Sequence, residues 1–311
     1  MVVTHGFIAP AGQRHAVTVG NFDGVHRGHQ AMLARVVAKA RSLGVQACVL
    51  TFEPHPREFF SPASAPTRLT RLRDKLELFA EAGIDRTHVA RFDAKLARLS
   101  AERFIEAVLV RGLETAWLLV GRDFRFGAKR AGDFALLEKA ARRHGFELET
   151  MPDVTHEGER VSSSAVRAAL EAGDLRRAEE FLGRPYTMSG RVAHGERLGQ
   201  ALGFPTANIV LRRRAPLAGV FVVEAELEET HRRLRGAASV GRRPTIREQA
   251  QLLLEVHLLD FEGEIYGRHL RVTFLERLRA EQKFDGLEAL RAAIARDVAR
   301  AREFFESNQH A

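Results

Sequence analysis

Two histidines three residues apart, His26 and His29, lie in the stretch that organises the chain, Gly20-Asn21-Phe22-Asp23-Gly24-Val25-His26-Arg27-Gly28-His29. An apolar alternation at 16–19 leads into it and reads as a strand. An amphipathic segment at 30–43 leads out and reads as a helix. Strand, Gly-rich turn, helix is an arrangement in which unpaired N–H groups at a helix start point at a bound anion. Gly20, Gly24 and Gly28 permit positive φ and let a ligand approach the backbone. At this spacing both imidazoles can face one object above the helix N-terminus. Two such donors beside a positive helix end suit a polyphosphate whose charge grows during reaction.

Other phosphate signatures are missing. No two glycines are spaced G-x-G, which excludes the dinucleotide fingerprint and the kinase glycine loop. There is no Gly-Lys pair for a Walker A loop, and neither H-E-x-x-H nor C-x-x-C for zinc.

The elements that must hold these residues alternate in type. Strands are expected at 16–19, 46–52, 87–92, 116–120 and 147–151, with helices at 30–43, 71–82, 101–111 and 134–144. Gly44, Gly83, Gly112 and Gly145 follow those helices, where a left-handed C-cap is wanted, and Ser100 suits an N-cap. Such alternation predicts an α/β domain, a parallel sheet covered by helices on both faces. Helical pieces at 165–172 and 175–182 follow, and Gly183-Arg184-Pro185-Tyr186 breaks the pattern. Beyond it, β-like runs at 187–192, 219–226, 234–240, 252–259 and 270–275 come without helices between them. These predict a small antiparallel β-barrel, and the apolar spacing of 287–305 predicts a C-terminal helix packed on it. The domains expected are therefore 1–183 and 184–311.

The opening motif resembles the H-x-G-H signature of the nucleotidyltransferase superfamily. In its extended form it resembles the bacterial bifunctional riboflavin kinase/FMN adenylyltransferase family, also called FAD synthetases. Thr51-Phe52-Glu53-Pro54-His55-Pro56 is similar to the family's F-x-P-H-P segment, and Val120-Gly121-Arg122-Asp123-Phe124-Arg125-Phe126-Gly127 to its V-G-x-(N/D)-F-x-F-G. Val161-Ser162-Ser163-Ser164-Ala165-Val166-Arg167 resembles I-S-S-T-x-x-R, with Ser164 for Thr. In the second half, Gly195-Glu196-Arg197-Leu198-Gly199-Gln200-Ala201-Leu202-Gly203-Phe204-Pro205-Thr206-Ala207-Asn208 is similar to the riboflavin kinase G-x-x-L-G-F-P-T-A-N segment. Glu255 stands in Leu254-Glu255-Val256-His257. Gly219-Val220-Phe221 and Gly241-Arg242-Arg243-Pro244-Thr245 match further segments, while Ser239 departs from a frequent Asn.

The resemblance implies two reactions: riboflavin and ATP give FMN, and FMN and a second ATP give FAD and pyrophosphate. It implies a Rossmann-like nucleotidyltransferase domain before a six-stranded barrel kinase domain. Gly20, Phe22, Asp23, Gly28, His55, Asp123, Ser163, Ser164 and Arg167 are then binding residues of the adenylyltransferase, with His26 and His29 catalytic. Gly203, Pro205, Thr206 and Asn208 bind nucleotide in the kinase, Thr206 and Asn208 hold Mg²⁺, and Glu255 is the general base.

The resemblance implies small-molecule partners, riboflavin, FMN and ATP, and the charge pattern does not favour nucleic acid. Net charge is +8, but the arginines are spread along the chain and interleaved with Glu, the pattern of solvated helix surface rather than a nucleic-acid patch. The longest uncharged run, 198–211, is too short and polar to span a membrane. No signal-peptide pattern is visible, and a lone Cys48 in an apolar run argues against a disulfide framework. The cytoplasm is the expected compartment; the oligomeric state is left open. A protein with one live activity and a basic RNA-binding protein are the alternatives, which flavin turnover and salt-dependent RNA binding separate.

Overall fold

The computed structural model describes residues 1–195, 198–211, 213–243 and 251–308. Parts of two expected motifs, Glu196-Arg197 and Pro244-Thr245, lie outside the described residues. The chain forms two compact units, Met1–Pro66 with Thr70–Ser162, and Thr67–Leu69 with Ser163–Ala311.

The first unit runs β1 (Val2–His5), β2 (His15–Val19), α1 (Arg27–Leu43), β3 (Gln46–Glu53), α2 (Pro56–Phe60), α3 (Leu72–Glu81) and β4 (Arg86–Arg91). It continues with α4 (Ala94–Ala97), α5 (Ala101–Phe104), β5 (Thr115–Gly121), α6 (Phe134–His144), β6 (Glu147–Met151), and the hairpin β7 (Thr155–His156) and β8 (Glu159–Arg160). Strands β1 to β6 form one parallel sheet in the order β1-β4-β3-β2-β5-β6. Period-two alternation splits each central strand between two cores. Val17, Val19, Cys48, Leu50, Leu118 and Val120 face the 101–110 helical segment and α6. Ala16, Ala47, Val49, Trp117 and Leu119 face Leu33, Val36 and Ala40 of α1 and Phe79 of α3. Burial on both faces explains why these strands are nearly continuous apolar runs.

Caps follow the sequence with one exception. Gly44 (φ 65°) and Gly145 (φ 71°) end α1 and α6 in the left-handed conformation, Gly83 has φ 85°, and the Ser100 hydroxyl accepts from Arg103 N–H. Gly112 is not at positive φ: a Cβ there would strike the Phe7 carbonyl oxygen, so this glycine serves close backbone approach. The expected helix at 101–111 opens into a π-helix over Ile105–Val110. Strand β1 was not expected; it has four residues, is mostly exposed, and among the described residues pairs with β4 alone.

The face of the sheet that carries Cys48 also buries polar groups. His88 Nδ1 lies 3.2 Å from Thr4 Oγ1, and His15 Nδ1 lies 2.7 Å from the Leu113 carbonyl. Burial, then the neighbouring Arg86 and His15, push His88 from 6.5 down to about 4; burial also lowers His15. The unfolded chain therefore takes up protons between pH 6.5 and about 4 that the folded chain refuses. Stability is expected to fall as pH drops through that window and to level off below it, with His88 alone worth up to about 3 kcal/mol. Melting curves at stepped pH check this: His88→Leu should flatten the slope, and a wild-type Tm unchanged from pH 7 to 4 would contradict it.

The second unit contains α7 (Ser163–Ala172), α8 (Leu175–Leu182), β9 (Thr187–Ala193), α9 (Leu198–Ala201), β10 (Ala207–Leu211), β11 (Gly219–Leu227), β12 (Arg232–Arg243), β13 (Gln251–Leu258), β14 (His269–Arg279) and α10 (Leu287–Ser307). Strands β9 to β14 close an antiparallel barrel in the order β10-β13-β12-β11-β14-β9, with β9 pairing back to β10. Its interior is filled: Phe221 meets Phe274 edge-on at 5.3 Å, and Val223, Leu254, Val256 and Val272 are fully buried. The alternate residues Val220 and Val222 face outward and join Ala301 and Phe305 of α10. Strand β10 was not expected: it has only five residues, and Val210 obscures the alternation of its inward Ala207, Ile209 and Leu211. The α7–α8 pair is tied to β14, where Arg277 Nη1 donates to the Ala172 carbonyl at 3.0 Å. No helix among the described residues is long and apolar enough to cross a membrane.

Candidate active sites

In open α/β sheets ligands bind beyond the carboxyl ends of the strands, where the strand order reverses. That point here lies between β2 and β5. The H-x-G-H loop follows β2 and the Gly121–Phe126 segment follows β5, while Pro54-His55-Pro56 follows β3 on the far side of β2.

Helix α1 starts at Arg27, earlier than the expected residue 30. His26 is its N-cap, and Nδ1 accepts from the His29 backbone N–H at 3.4 Å. His29 stands in the first turn, and the two rings stack with centroids 3.6 Å apart at 19°. Gly28 permits this: a Cβ there would lie 3.2 Å from two atoms of the His26 ring. Phe22 packs on His29 at 5.1 Å and on Phe79 at 5.4 Å. It does so from φ 49°, and Val25 has φ 41°, an unfavourable region for both side chains. The Asp23 carboxylate accepts from the N–H and hydroxyl of Thr70, at 3.1 and 3.2 Å, which anchors the loop ahead of α3.

Burial, then His26 and Lys75, hold the His29 pKa well below 6.5, so its imidazole is neutral at pH 7. Among the described residues, two buried atoms of this loop have no hydrogen-bond partner, His29 Nδ1 and Asn21 Oδ1. A neutral imidazole that hydrogen-bonds is a donor available to a phosphate without a protonation step.

The remaining expected residues of this half have definite places. His55 caps α2, where Nδ1 accepts from Arg57 N–H at 3.1 Å and Glu58 closes a capping box. Gly20 sits under the Phe22 ring, 3.1 Å from where its Cβ would be. Asp123 is exposed and receives Arg160 Nη2 at 3.1 Å; Arg160 Nε also reaches Asp153 at 3.0 Å. Ser163, Ser164 and Arg167 belong to α7 and hence to the second unit; Arg167 Nε donates to the Thr67 carbonyl at 2.6 Å. Lys75 and Arg160 were not expected. Lys75 reads as one charge among many in α3, although its position four residues before Phe79 puts it on the buried face.

In the second unit a cavity of about 250 Å³ lies between the outer face of the barrel and α10. Phe204, Thr206, Ala237, Ser239, Glu255 and His257 line it from the barrel side, and Leu290, Ile294 and Asp297 from α10. Antiparallel register puts Glu255 directly opposite Asn208 of β10 on one side and Ser239 of β12 on the other. Glu255 and His257 share this face, while Leu254 and Val256 point into the barrel. His257 Nδ1 lies 2.9 Å from the Pro205 carbonyl.

Asn208 is buried, its Nδ2 donates to the Thr206 carbonyl at 3.3 Å, and its Oδ1 has no partner among the described residues. Two glycines make room for this pair. A Cβ on Gly195 would strike the Asn208 amide, and one on Gly199 would strike the Phe204 carbonyl and crowd Thr206 Oγ1. Gly203 turns the chain at φ 89° ahead of Phe204 and Pro205. The polar floor is the ion pair of Arg279 with Asp297, Nη2 to Oδ2 at 2.8 Å. Oxygen donors beside a carboxylate, under an apolar cleft, suit a phosphorylated ligand with a flat apolar part.

Comparison with known proteins gives one answer for each half. A family model described as FAD synthetase matches residues 9–165, and one described as riboflavin kinase matches residues 182–305. The bifunctional riboflavin kinase/FMN adenylyltransferase of Escherichia coli (strain K12) is 48% identical over 290 residues, 93% of this chain and 92% of that one. That of Pseudomonas fluorescens is 48% identical over 294 residues, 94% of each. Among solved structures, one described as a macrolide-efflux protein from Streptococcus pneumoniae matches with a TM-score of 0.80 at 27% identity, covering 99% of each chain.

Proposed function

The chain belongs to the bifunctional riboflavin kinase/FMN adenylyltransferase family, and on that footing we propose how its residues divide the work. It is a transferase with both activities, riboflavin kinase and FAD synthetase. The kinase reaction is assigned to the barrel cavity. Glu255 takes the proton of the ribityl 5′-hydroxyl, whose oxygen bonds to the γ-phosphorus of ATP as ADP leaves. Phe204, Leu290 and Ile294 give the isoalloxazine an apolar cleft. Thr206 and Asn208 supply oxygens for Mg²⁺, a fit supported by the unpartnered Asn208 Oδ1. A cation held there would neutralise phosphate charge. The observation that carries this reading is the cross-strand pairing of Glu255 with Asn208 beside the cavity that Thr206 lines.

Adenylyl transfer is assigned to the H-x-G-H loop. An FMN phosphate oxygen bonds to the α-phosphorus of the second ATP, the α–β bridging bond breaks, and pyrophosphate leaves. No protein nucleophile is required, so positioning and charge stabilisation do the work. His26, His29 and the N–H groups of the first turn of α1 meet the phosphates, with Gly20 and Gly28 keeping the backbone open. Asp123 binds the nucleotide, His55 and Phe22 line the loops that receive it, and Asp23 braces the turn. Ser163, Ser164 and Arg167 bind phosphate. Use of ATP in both steps supports a cytoplasmic location, and small molecules are the only partners proposed.

The test is chromatography of flavins after incubation with riboflavin, ATP and Mg²⁺: FMN should rise first and FAD follow. FMN that accumulates without FAD would leave only the kinase live. The proposed division at 183/184 is tested in the same assay. All barrel ladders lie within 187–279, so residues 184–311 expressed alone should fold and make FMN without FAD. A fragment that folds only when started at Ser163 would make α7 and α8 part of the kinase domain.

A further inference from the structure

The residues that α10 turns toward the barrel form an apolar stripe: Leu290, Ile294, Val298, Ala301 and Phe305 recur at helical spacing. Asp297 stands within that stripe and is 6% exposed. A carboxylate is almost never buried without a partner, and this one has a specific partner. Arg279 Nε lies 3.1 and 3.0 Å from its two oxygens, and Nη2 lies 2.8 Å from Oδ2. The same guanidinium donates from Nη1 to the Ala280 carbonyl at 3.1 Å and lies over the Phe284 ring, 5.4 Å from its centroid. Carboxylate, carbonyl and ring together fix the plane of Arg279.

Stability does not account for this pair. Replacing a buried ion pair by apolar side chains of similar volume is often neutral or stabilising. The docking of α10 has other supports. Ala301 and Phe305 pack with Val220 and Val222, Arg300 Nη1 donates to the Leu278 carbonyl at 2.9 Å, and Arg302 grips Asp260 at 2.7 and 2.8 Å. What sets Asp297 and Arg279 apart is that both line the cavity, Asp297 from the same helix face as Leu290 and Ile294. A flavin ring is flat, uncharged and edged with carbonyl oxygens. A guanidinium held in one plane suits both its face and its edge. Without the carboxylate, that guanidinium would favour anions over a neutral ring; the ion pair cancels this bias.

We propose that Asp297 is a positioning residue of the kinase: its carboxylate holds the Arg279 guanidinium, flat and charge-balanced, as the surface on which the uncharged flavin ring is bound. The inference rests on the assignment of the kinase reaction to the barrel cavity. Two changes to the full-length chain test it. Asp297→Asn keeps the shape of the side chain and one acceptor but releases the grip on Arg279; it leaves a buried cation unbalanced, so its Tm should fall. The double variant Arg279→Met with Asp297→Leu removes both charges together and should keep a Tm at or above wild type.

In FMN formation both should raise the KM for riboflavin by ~10-fold, with kcat within about threefold of wild type and the KM for ATP unchanged, the pattern of lost flavin binding rather than lost chemistry. FAD formation from supplied FMN should stay at the wild-type rate in both. The double variant decides between positioning and mere helix docking. A stable double variant with a wild-type KM for riboflavin would overturn the proposal and leave the ion pair as one more support of α10. A KM for riboflavin within about twofold of wild type in Asp297→Asn would overturn it as well. Ile294→Trp, which fills the cavity from α10, tests the footing separately and should abolish FMN formation. If it makes FMN at the wild-type rate, the flavin binds elsewhere and the assignment of the cavity falls, and the inference with it.

Discussion

Glu255→Gln is expected to slow FMN formation by ~10²–10⁴ while FAD formation from supplied FMN continues unchanged. Glutamine keeps the length and planarity of the side chain, so its cross-strand neighbours Asn208 and Ser239 face a side chain of the same shape. What it loses is the capacity to accept the hydroxyl proton as the new O–P bond forms. The residue lies mid-strand in β13, and the ladder bonds of its backbone do not depend on the side chain. Folding should therefore be preserved, and a Tm close to wild type is part of the expected result. The bifunctional chain contains its own control: adenylyl transfer in the same preparation shows that the protein is folded and that ATP is intact. A Gln variant that phosphorylates riboflavin normally would make Glu255 a residue of the strand surface and move the search for a base to His257, on the same face of the cavity.

The two architectures were legible because each has its own periodicity. Continuous apolar runs at 46–52 and 116–120 between helix-period segments could be only strands buried on both faces, and β3 and β5 are that. The places where the pattern misled have physical causes. Strand β1 pairs along one edge and is exposed, so burial imposes no pattern on its four residues. Strand β10 is five residues long: Ala207, Ile209 and Leu211 face the barrel interior and Asn208 the cavity, but the apolar Val210 on the outer face blurs so short an alternation. Gly112 was read as a cap, yet it is glycine because the Phe7 carbonyl approaches it. A sequence displays the need for glycine and conceals which of its two uses is in force.

The sites were legible to different depths. Residues in compact motifs, such as His26 with His29 or Thr206 with Asn208, announce themselves because one loop must hold several groups against one ligand. Glu255 stands alone in its strand, and only the register of β13 against β10 shows that it meets Asn208. Lys75 and Arg160 were invisible for a further reason. The chain contains 48 lysines and arginines, so a single buried or ion-paired cation is not distinguishable by type. Its burial distinguishes Lys75, and the Asn21 carbonyl that it meets is 54 residues away in sequence. Composition alone cannot bring those two segments together.

His29→Ala is expected to lower FAD formation by ~10²–10³ while riboflavin is still converted to FMN. The geometry of the helix start makes this substitution more informative than its neighbour. The bond that caps α1 runs from the backbone N–H of His29 to Nδ1 of His26, so removing the His29 side chain leaves the cap in place. His26→Ala would remove the cap as well, at a cost of roughly 1 kcal/mol, and any loss of activity would mix chemistry with fraying of the first turn. Truncating His29 does vacate the space between the His26 and Phe22 rings, where it lies 3.6 and 5.1 Å from their centroids. His29→Asn, which refills part of that space with a polar group, therefore belongs in the comparison. If loss of the ring merely loosens the loop, Asn should restore most of the rate and Tm should follow activity across the two variants. If the neutral imidazole is the donor that meets the charge developing on the transferred phosphate, both variants should be slow with little change in Tm. Unchanged FAD formation in purified His29→Ala would take the H-x-G-H loop out of the mechanism.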